Sequence, residues 1–220
     1  MPVLESEIDI NSADYQANSV AMQSLVDEFR EIESRSVKEA ESKRERYAKR
    51  GEILPRDRLS LLLDTGSPFV ELCSLAGLNM HDDDDGTLAG GGIIAGIGFI
   101  AGVRCLVQIN NFAIKGGTIS PAGLDKTLRL HQIAKENKLP IVSLAQSGGA
   151  NLNYGAEVFV QGARCFANQA RLSALGLPQI TVVHGSATAG GAYQPGLSDY
   201  VIMVKKKATM YLAGPPLLSA

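Results

Sequence analysis

Tryptophan is absent, aromatic residues make up only 5% of the sequence, and 220 residues hold just three cysteines and three histidines. Cys73, Cys105 and Cys165 are odd in number, widely spaced and without a CxxC. That pattern indicates neither a disulfide framework nor a zinc site, and it fits a reducing compartment. Charge of one sign is also lacking: the formal net charge is -2, which offers no basic face to nucleic acid. No run approaches the roughly 18 apolar residues of a membrane span. The first ten residues are acidic rather than apolar or Arg-rich. A cytoplasmic location is expected, with no nucleic-acid partner and no membrane partner.

What is present suffices for a core, since 45% of the residues are hydrophobic. The length suggests one domain with an appendage. From Asn11 to Arg50 the chain is charged and free of Gly and Pro, with Met22, Leu25, Val26, Phe29 and Ile32 at helical spacing. This predicts an amphipathic helical arm over residues 1–50, ended near Gly51. The arm either packs on the domain's own surface or contacts another subunit. A second helix follows Leu54-Pro55-Arg56, with Pro55 in its first turn. His81–Gly86 is an acidic loop whose aspartates lack the alternating spacing of a calcium loop, so it is expected to be solvated.

Ile93–Ile100 and Val103–Ile109 are β-rich runs separated by Ala101-Gly102, the pattern of a hairpin. Gly96-Ile97-Gly98 is no dinucleotide fingerprint, because a strand rather than a helix follows it. Ser120-Pro121 opens a helix to about Asn137, capped by the serine. Pro140–Ala145 is a short buried strand, and a helix from about Gly155 to Leu175 is ended by Gly176. Gln179–His184 is another strand, and Tyr200–Val204 and Thr209–Ala213 return to strand. Strands and helices alternate throughout, which favours an α/β layered fold.

Two loops stand out, Ser147-Gly148-Gly149-Ala150 and Ala189-Gly190-Gly191-Ala192, each between a buried strand and a helix. Ligands favour that edge of α/β sheets. A Gly pair there leaves free N–H groups aimed outward, suited to an oxygen that becomes negative during reaction. Enolate chemistry on a thioester needs such donors, each worth about 3 to 4 kcal/mol of barrier. Gly-Gly turns also serve simply to reverse a chain or to pack a helix closely on a sheet. The side chains supply no rival set: Ser147 lies outside a GxSxG elbow, His184 is read as ending a strand with its ring satisfied locally, and His131 as lying on the polar side of a helix. Glu157 reads as a solvated helix-start carboxylate, and Lys205, Lys206 and Lys207 as an exposed turn.

Arg50-Gly51-Glu52-Ile53-Leu54-Pro55-Arg56-Asp57-Arg58, Leu61-Leu62-Leu63-Asp64 and Ser67-Pro68-Phe69 form one recognisable segment. Lys115-Gly116-Gly117-Thr118, Ser147 to Leu152, Gly185 to Tyr193 and Ala213-Gly214-Pro215-Pro216-Leu217 follow it in order. Together they resemble the carboxyltransferase (beta) subunits of biotin-dependent acyl-CoA carboxylases, from about Arg50 to the last residue. The resemblance implies a crotonase-like fold of ββα units behind the N-terminal arm. Residues 51–220 would be the N-terminal, acyl-CoA-binding domain, and the family's C-terminal domain lies outside this sequence.

The same resemblance implies transfer of a carboxyl group from carboxybiotin to the enolate of an acyl-CoA, with biotin as cofactor and the coenzyme A thioester as substrate. By analogy Gly190 and Gly191 supply an oxyanion hole, for either the thioester oxygen or the biotin carbonyl. Gly148, Gly149 and Ala150, with Lys115, Gly116 and Gly117, line the CoA side; no metal is implied. The implied partners are a biotin carboxylase and biotin carboxyl carrier subunit, the C-terminal carboxyltransferase domain, and further copies in a homo-oligomer. The sequence is most similar to the methylcrotonyl-CoA and geranyl-CoA carboxylase branch, although Gln146 replaces an acidic residue common in relatives. Gln194-Pro195-Gly196-Leu197 leans toward the geranyl type. This half-length chain is expected to be inactive alone. The alternatives are a decarboxylase or transcarboxylase of the same fold, a non-catalytic CoA-binding or assembly module, and a serine peptidase using Ser147.

Overall fold

The computed structural model describes residues 5–213, so the Gly214-Pro215-Pro216-Leu217 motif lies outside the described residues. The chain opens with α1 (Ala13–Glu41), α2 (Arg44–Lys49) and α3 (Pro55–Leu62). Ser12 caps α1 by accepting from the N–H of Tyr15, and Pro55 fills the first turn of α3. The single helix predicted over Asn11–Arg50 is broken at Ser42-Lys43. The bend lets Ala40 and Tyr47 bury against Leu54 and Ala113. Arg44 holds it there with a two-pronged contact to Asp57, at 2.6 and 3.2 Å. The second half of the arm therefore packs on its own domain. Along the first half, Met22 and Leu25 remain 61% and 60% exposed, while Val26 and Ile32 are half-buried.

Next come β1 (Val70–Glu71), β2 (Ile93–Ile100), β3 (Val103–Asn110), β4 (Thr118–Ile119), α4 (Pro121–Asn137), β5 (Ile141–Ser147) and β6 (Gly149–Ala150). They lead to α5 (Gly155–Ala174), β7 (Gln179–Thr188), α6 (Gly190–Gly196), β8 (Tyr200–Met203) and β9 (Thr209–Tyr211). Seven strands form the main sheet in the order β1-β2-β3-β5-β7-β8, with β9 also paired to β7; β4 and β6 form a separate parallel pair. The expected β2–β3 hairpin is present, Ile100 opposite Val103. Its two turn residues have φ of +50° and +76°, and both of their N–H groups donate to the Asp64 carboxylate at 2.7 Å. From β3 onward the neighbours run parallel, each pair separated by a helical crossover.

Alternate residues of each strand serve opposite faces. Leu106 and Ile141 pack with Leu130 and Ala134 of α4 and Leu172 of α5. Val107, Ile109, Val142 and Leu144 face the other way, against Leu59 of α3 and the ring of Phe69. That second packing explains Gly96 and Gly98. A Cβ on Gly96 would stand 2.4 Å from Phe69, and one on Gly98 would stand 2.7 Å from Leu63. The two glycines admit the α3 layer rather than a ligand. Arg56 reinforces it with a bidentate pair to Glu71, at 2.8 and 2.9 Å.

Four further readings from sequence need correction. Strand β7 runs through Thr188 rather than stopping at His184, because Ser186, Ala187 and Thr188 pair with β9. The acidic loop is not simply solvated: Asp83 is buried and accepts from the N–H groups of Asn79 and Leu88, organising its own turn. His131 and His184 are not where they were expected. His131 faces inward from α4 and is buried, and His184 lies within β7 with neither ring nitrogen hydrogen-bonded among the described residues. As expected, Lys205–Lys207 form an exposed turn, in which Lys207 reaches the carbonyl of Arg50. No helix of the described residues is long and apolar enough to cross a membrane.

Candidate functional site

Strand β5 ends in Ser147, and its buried hydroxyl is the point on which three loops converge. The hydroxyl donates to the carbonyl of Gly117 at 3.0 Å and accepts from the N–H of Gly149 at 3.1 Å. Gly191 rests against it so closely that a Cβ there would lie 2.8 Å from Ser147 Cβ and Oγ. A hydroxyl so engaged is a strut, not a nucleophile. Neither His131 nor His184 hydrogen-bonds to it, which removes the basis for a peptidase.

The first group of candidate residues forms one unit. Lys115–Gly117 make a single 3-10 turn with positive φ at all three residues (+44°, +63° and +65°), and the following β4 pairs with β6, Thr118 opposite Gly149 and Ile119 opposite Ala150. Gly117 has to be glycine, because a Cβ there would stand 2.6 Å from the carbonyl of Gln146. The N–H of Gly148 donates to Gly116 at 3.1 Å, so the donors of Gly148 and Gly149 are both taken. Lys115 is paired as well: its ammonium lies 2.7 Å from Asp82, which also accepts from Tyr154 Oη at 2.7 Å and from Asn151 at 3.3 Å. The Lys115 and Tyr154 bonds hold the Asp82 carboxyl below its usual range. Asp82, Lys115, Asn151 and Tyr154 line one small cleft together with His81, whose Nε2 is 3.4 Å from the exposed Glu157.

Gly190 and Gly191 differ. Ala189, with φ +48° and ψ −119°, turns the chain sharply from β7 into α6, a conformation rarely adopted by a residue with a side chain. Its own N–H is used, donated to Tyr211 at 2.8 Å. The N–H groups of Gly190 and Gly191 have no acceptor among the described residues. Both glycines line a second cleft, of about 600 Å³ including its open mouth, between the sheet and the α4–α5 pair. Its walls include Ile109, Ile119, Leu124, Cys165 and Phe166, with Gln108, Asn110, Gln169 and Gln194 as polar neighbours. Ile119 of β4 belongs to this cleft and Thr118 to the first, so β4 is the wall between them.

Among the described residues, no Asp, Glu, Lys or Arg lines the second cleft. Its two titratable side chains are neutral near pH 7: burial drops His131 to about 4 and raises the Cys165 thiol to about 12. The cleft can therefore offer amide donors to a developing negative oxygen inside apolar walls, but it holds no group poised as a base at that pH. Sequence reading found the glycines but not their common support in Ser147. Nor did it find Asp82, whose partners lie 33 to 72 residues away in the chain.

The chain was compared with known proteins. The model of the "Carboxyl transferase domain" family matches residues 46–220. The probable mitochondrial methylcrotonoyl-CoA carboxylase beta chain of Drosophila melanogaster is 47% identical over 99% of this chain and 38% of its own length. Among solved structures, the geranyl-CoA carboxylase beta subunit of P. aeruginosa superposes with a TM-score of 0.89 at 64% identity, over 98% of this chain and 40% of that one. Transcarboxylase 12S with methylmalonyl-coenzyme A bound gives a TM-score of 0.74 at 26% identity, over 95% of this chain and 39% of that one. The chain thus spans about two fifths of the length of these relatives, and it shares with them the crotonase-like arrangement of ββα units. A family match across most of the sequence, together with a superposition over nearly all of it, places this chain in the carboxyl transferase domain family.

Proposed function

We propose that this chain is the acyl-CoA-binding half of a carboxyltransferase that moves a carboxyl group from carboxybiotin to an acyl-CoA, with branched or longer enoyl-CoAs preferred. Two amide donors unpaired among the described residues, those of Gly190 and Gly191, beside an uncharged apolar cleft carry the reading. The relatives named for methylcrotonoyl-CoA and geranyl-CoA support it and favour this acyl class. In this reading the acyl chain lies among Ile119, Leu124 and Phe166. The thioester oxygen, as it gains charge on loss of the neighbouring proton, receives the N–H groups of Gly190 and Gly191. Preorganised donors in a dry site need no rearrangement at that moment, which is why they lower the barrier. Lys115 and the Gly116-Gly117 turn, braced by Gly148, Gly149 and Ala150, face the coenzyme A end.

Carboxybiotin, when bound, supplies the carboxyl group and, once that is released, the base. The cleft suits such a donor, because its own titratable groups are neutral. Residues 51–220 then form one half of a site completed by the C-terminal carboxyltransferase domain. A biotin carboxylase with its carrier is the delivering partner, further copies complete a homo-oligomer, and the location is cytoplasmic. The test is reconstitution. This chain plus the C-terminal half and a carboxylated carrier should carboxylate methylcrotonyl- or geranyl-CoA, while either half alone should not. Turnover by this chain alone, or none by the complete mixture, would sink the assignment.

A further inference from the structure

The cleft beside Gly190 and Gly191 and a groove on the outside of the α4–α5 pair have one lining residue in common, His131. The groove, of about 500 Å³ including open solvent, is lined on α4 by Gln132 and Lys135 and on α5 by Asn168, Arg171, Leu172 and Leu175. One imidazole therefore stands between an internal space and the surface. It is 4% exposed, and its Nδ1 is buried without a hydrogen-bond partner among the described residues. Two of the polar side chains that share the cleft are committed elsewhere: Gln108 donates to Ser143 and Gln169 to the carbonyl of Gln194. A buried ring nitrogen left unpaired is a destabilising arrangement, and such groups tend to be kept where they serve a site. Packing alone holds Nδ1 in place, so turning the ring breaks no hydrogen bond there.

We propose that His131 sets the length of acyl chain the cleft admits, its ring closing the passage between the cleft and the α4–α5 groove. The inference rests on the reading of the cleft as the acyl site. Chains short enough to stop at the ring bind without disturbing it. Longer chains have to displace it and continue toward Leu172 and Leu175, past Lys135 and Arg171, whose aliphatic stems can flank a chain while their charges stay in water.

The experiment is equilibrium binding of butyryl-, octanoyl- and dodecanoyl-CoA to the full chain and to His131→Ala and His131→Leu. Each variant is read as its own ratio of dodecanoyl to butyryl affinity, so that a general loss of affinity cancels. His131→Ala should raise that ratio by roughly tenfold or more, about what burying two further methylenes is worth. His131→Leu fills the same space without an unpaired nitrogen and should keep the ratio of the parent chain. Equal ratios in all three proteins would overturn the role of His131 while leaving the acyl site standing, as would a raised ratio in His131→Leu. Should His131→Ala fail to fold, His131→Val, which also shortens the side chain, should raise the ratio in its place, and an unchanged ratio there would overturn the role. No binding of any acyl-CoA to the parent chain would overturn both the gate and the site it belongs to.

Discussion

The two diglycine turns of this protein have nearly the same local sequence and opposite hydrogen bonding. Gly148-Gly149 follows β5 and spends its N–H groups inside the protein, on Gly116 and on Ser147. Gly190-Gly191 follows β7 and leaves both donors free among the described residues, beside a cleft. The difference lies in what surrounds them. The first turn meets the Lys115–Gly117 turn, whose Gly116 carbonyl accepts from Gly148, and the second is swung away from acceptors by the strained Ala189. The supporting strands differ in the same sense. Strand β5 ends in a serine whose hydroxyl makes two hydrogen bonds, whereas β7 carries His184 with both ring nitrogens unpaired among the described residues. Polar groups are satisfied where a turn is structural, and some are left unsatisfied around the turn that is read as functional.

The comparison breaks first at Gly190. A Cβ there meets nothing within 4 Å, so Gly190→Val should fold normally while its side chain covers the donors. Turnover in the reconstituted enzyme should fall by about 10²- to 10³-fold, with the melting temperature unchanged. Wild-type kinetics in that variant would remove the free donors from the mechanism.

Acid should find the unsatisfied groups next. Burial lowers both His131 and His184 from the ordinary 6.5 to about 4, with Arg58 adding to the effect at His184. Between those values the unfolded chain binds protons that the folded chain refuses. Stability is therefore full above about pH 6.5, falls as pH drops toward 4, and levels off below that. The loss is at most about 3 kcal/mol for each histidine. Denaturant titrations across this window should show the slope, and His131→Leu should flatten it by about half.

Ser147→Ala tests the satisfied turn. It strands the carbonyl of Gly117 and the N–H of Gly149, and should destabilise the fold by about 2 kcal/mol. A variant as stable as the parent chain would mean that the three loops do not depend on the serine. The smallest effect is expected from Asp82→Asn, which releases Lys115 from its ion pair. Acyl-CoA affinity should tighten severalfold at low salt, and the gain should fade as salt screens it. Weaker binding instead would show that Asp82 orders the loops around Lys115 rather than competing for it.

Several of these features could be read in the sequence and several could not. Ser120-Pro121 announced α4, and the structure shows the serine capping Gly123. Ala101-Gly102 announced the hairpin, and both residues do take positive φ. Such signals are local, carried by residues whose backbone preferences hold wherever they sit. The inward turn of His131 had no such signal, because an apolar stripe on α4 does not say which of its flanking polar residues will be covered by α5. Nor did the last residues of β7, whose partner strand arrives more than twenty residues later. The apolar stripe of the arm was legible, but its spacing does not say what it meets: the structure buries Tyr47 and leaves Met22 and Leu25 exposed.

By itself, the sequence determined where strands and helices fall, which turns require glycine, and the order of motifs that marks the family, because backbone stereochemistry and hydrophobic periodicity act over a few residues. Only the tertiary structure decided which diglycine keeps its amide donors free among the described residues, that Ser147 braces three loops, and that His131 lines both a cleft and a groove. Those outcomes depend on which hydrogen-bond acceptors and side chains arrive from distant parts of the chain, and no local pattern encodes that.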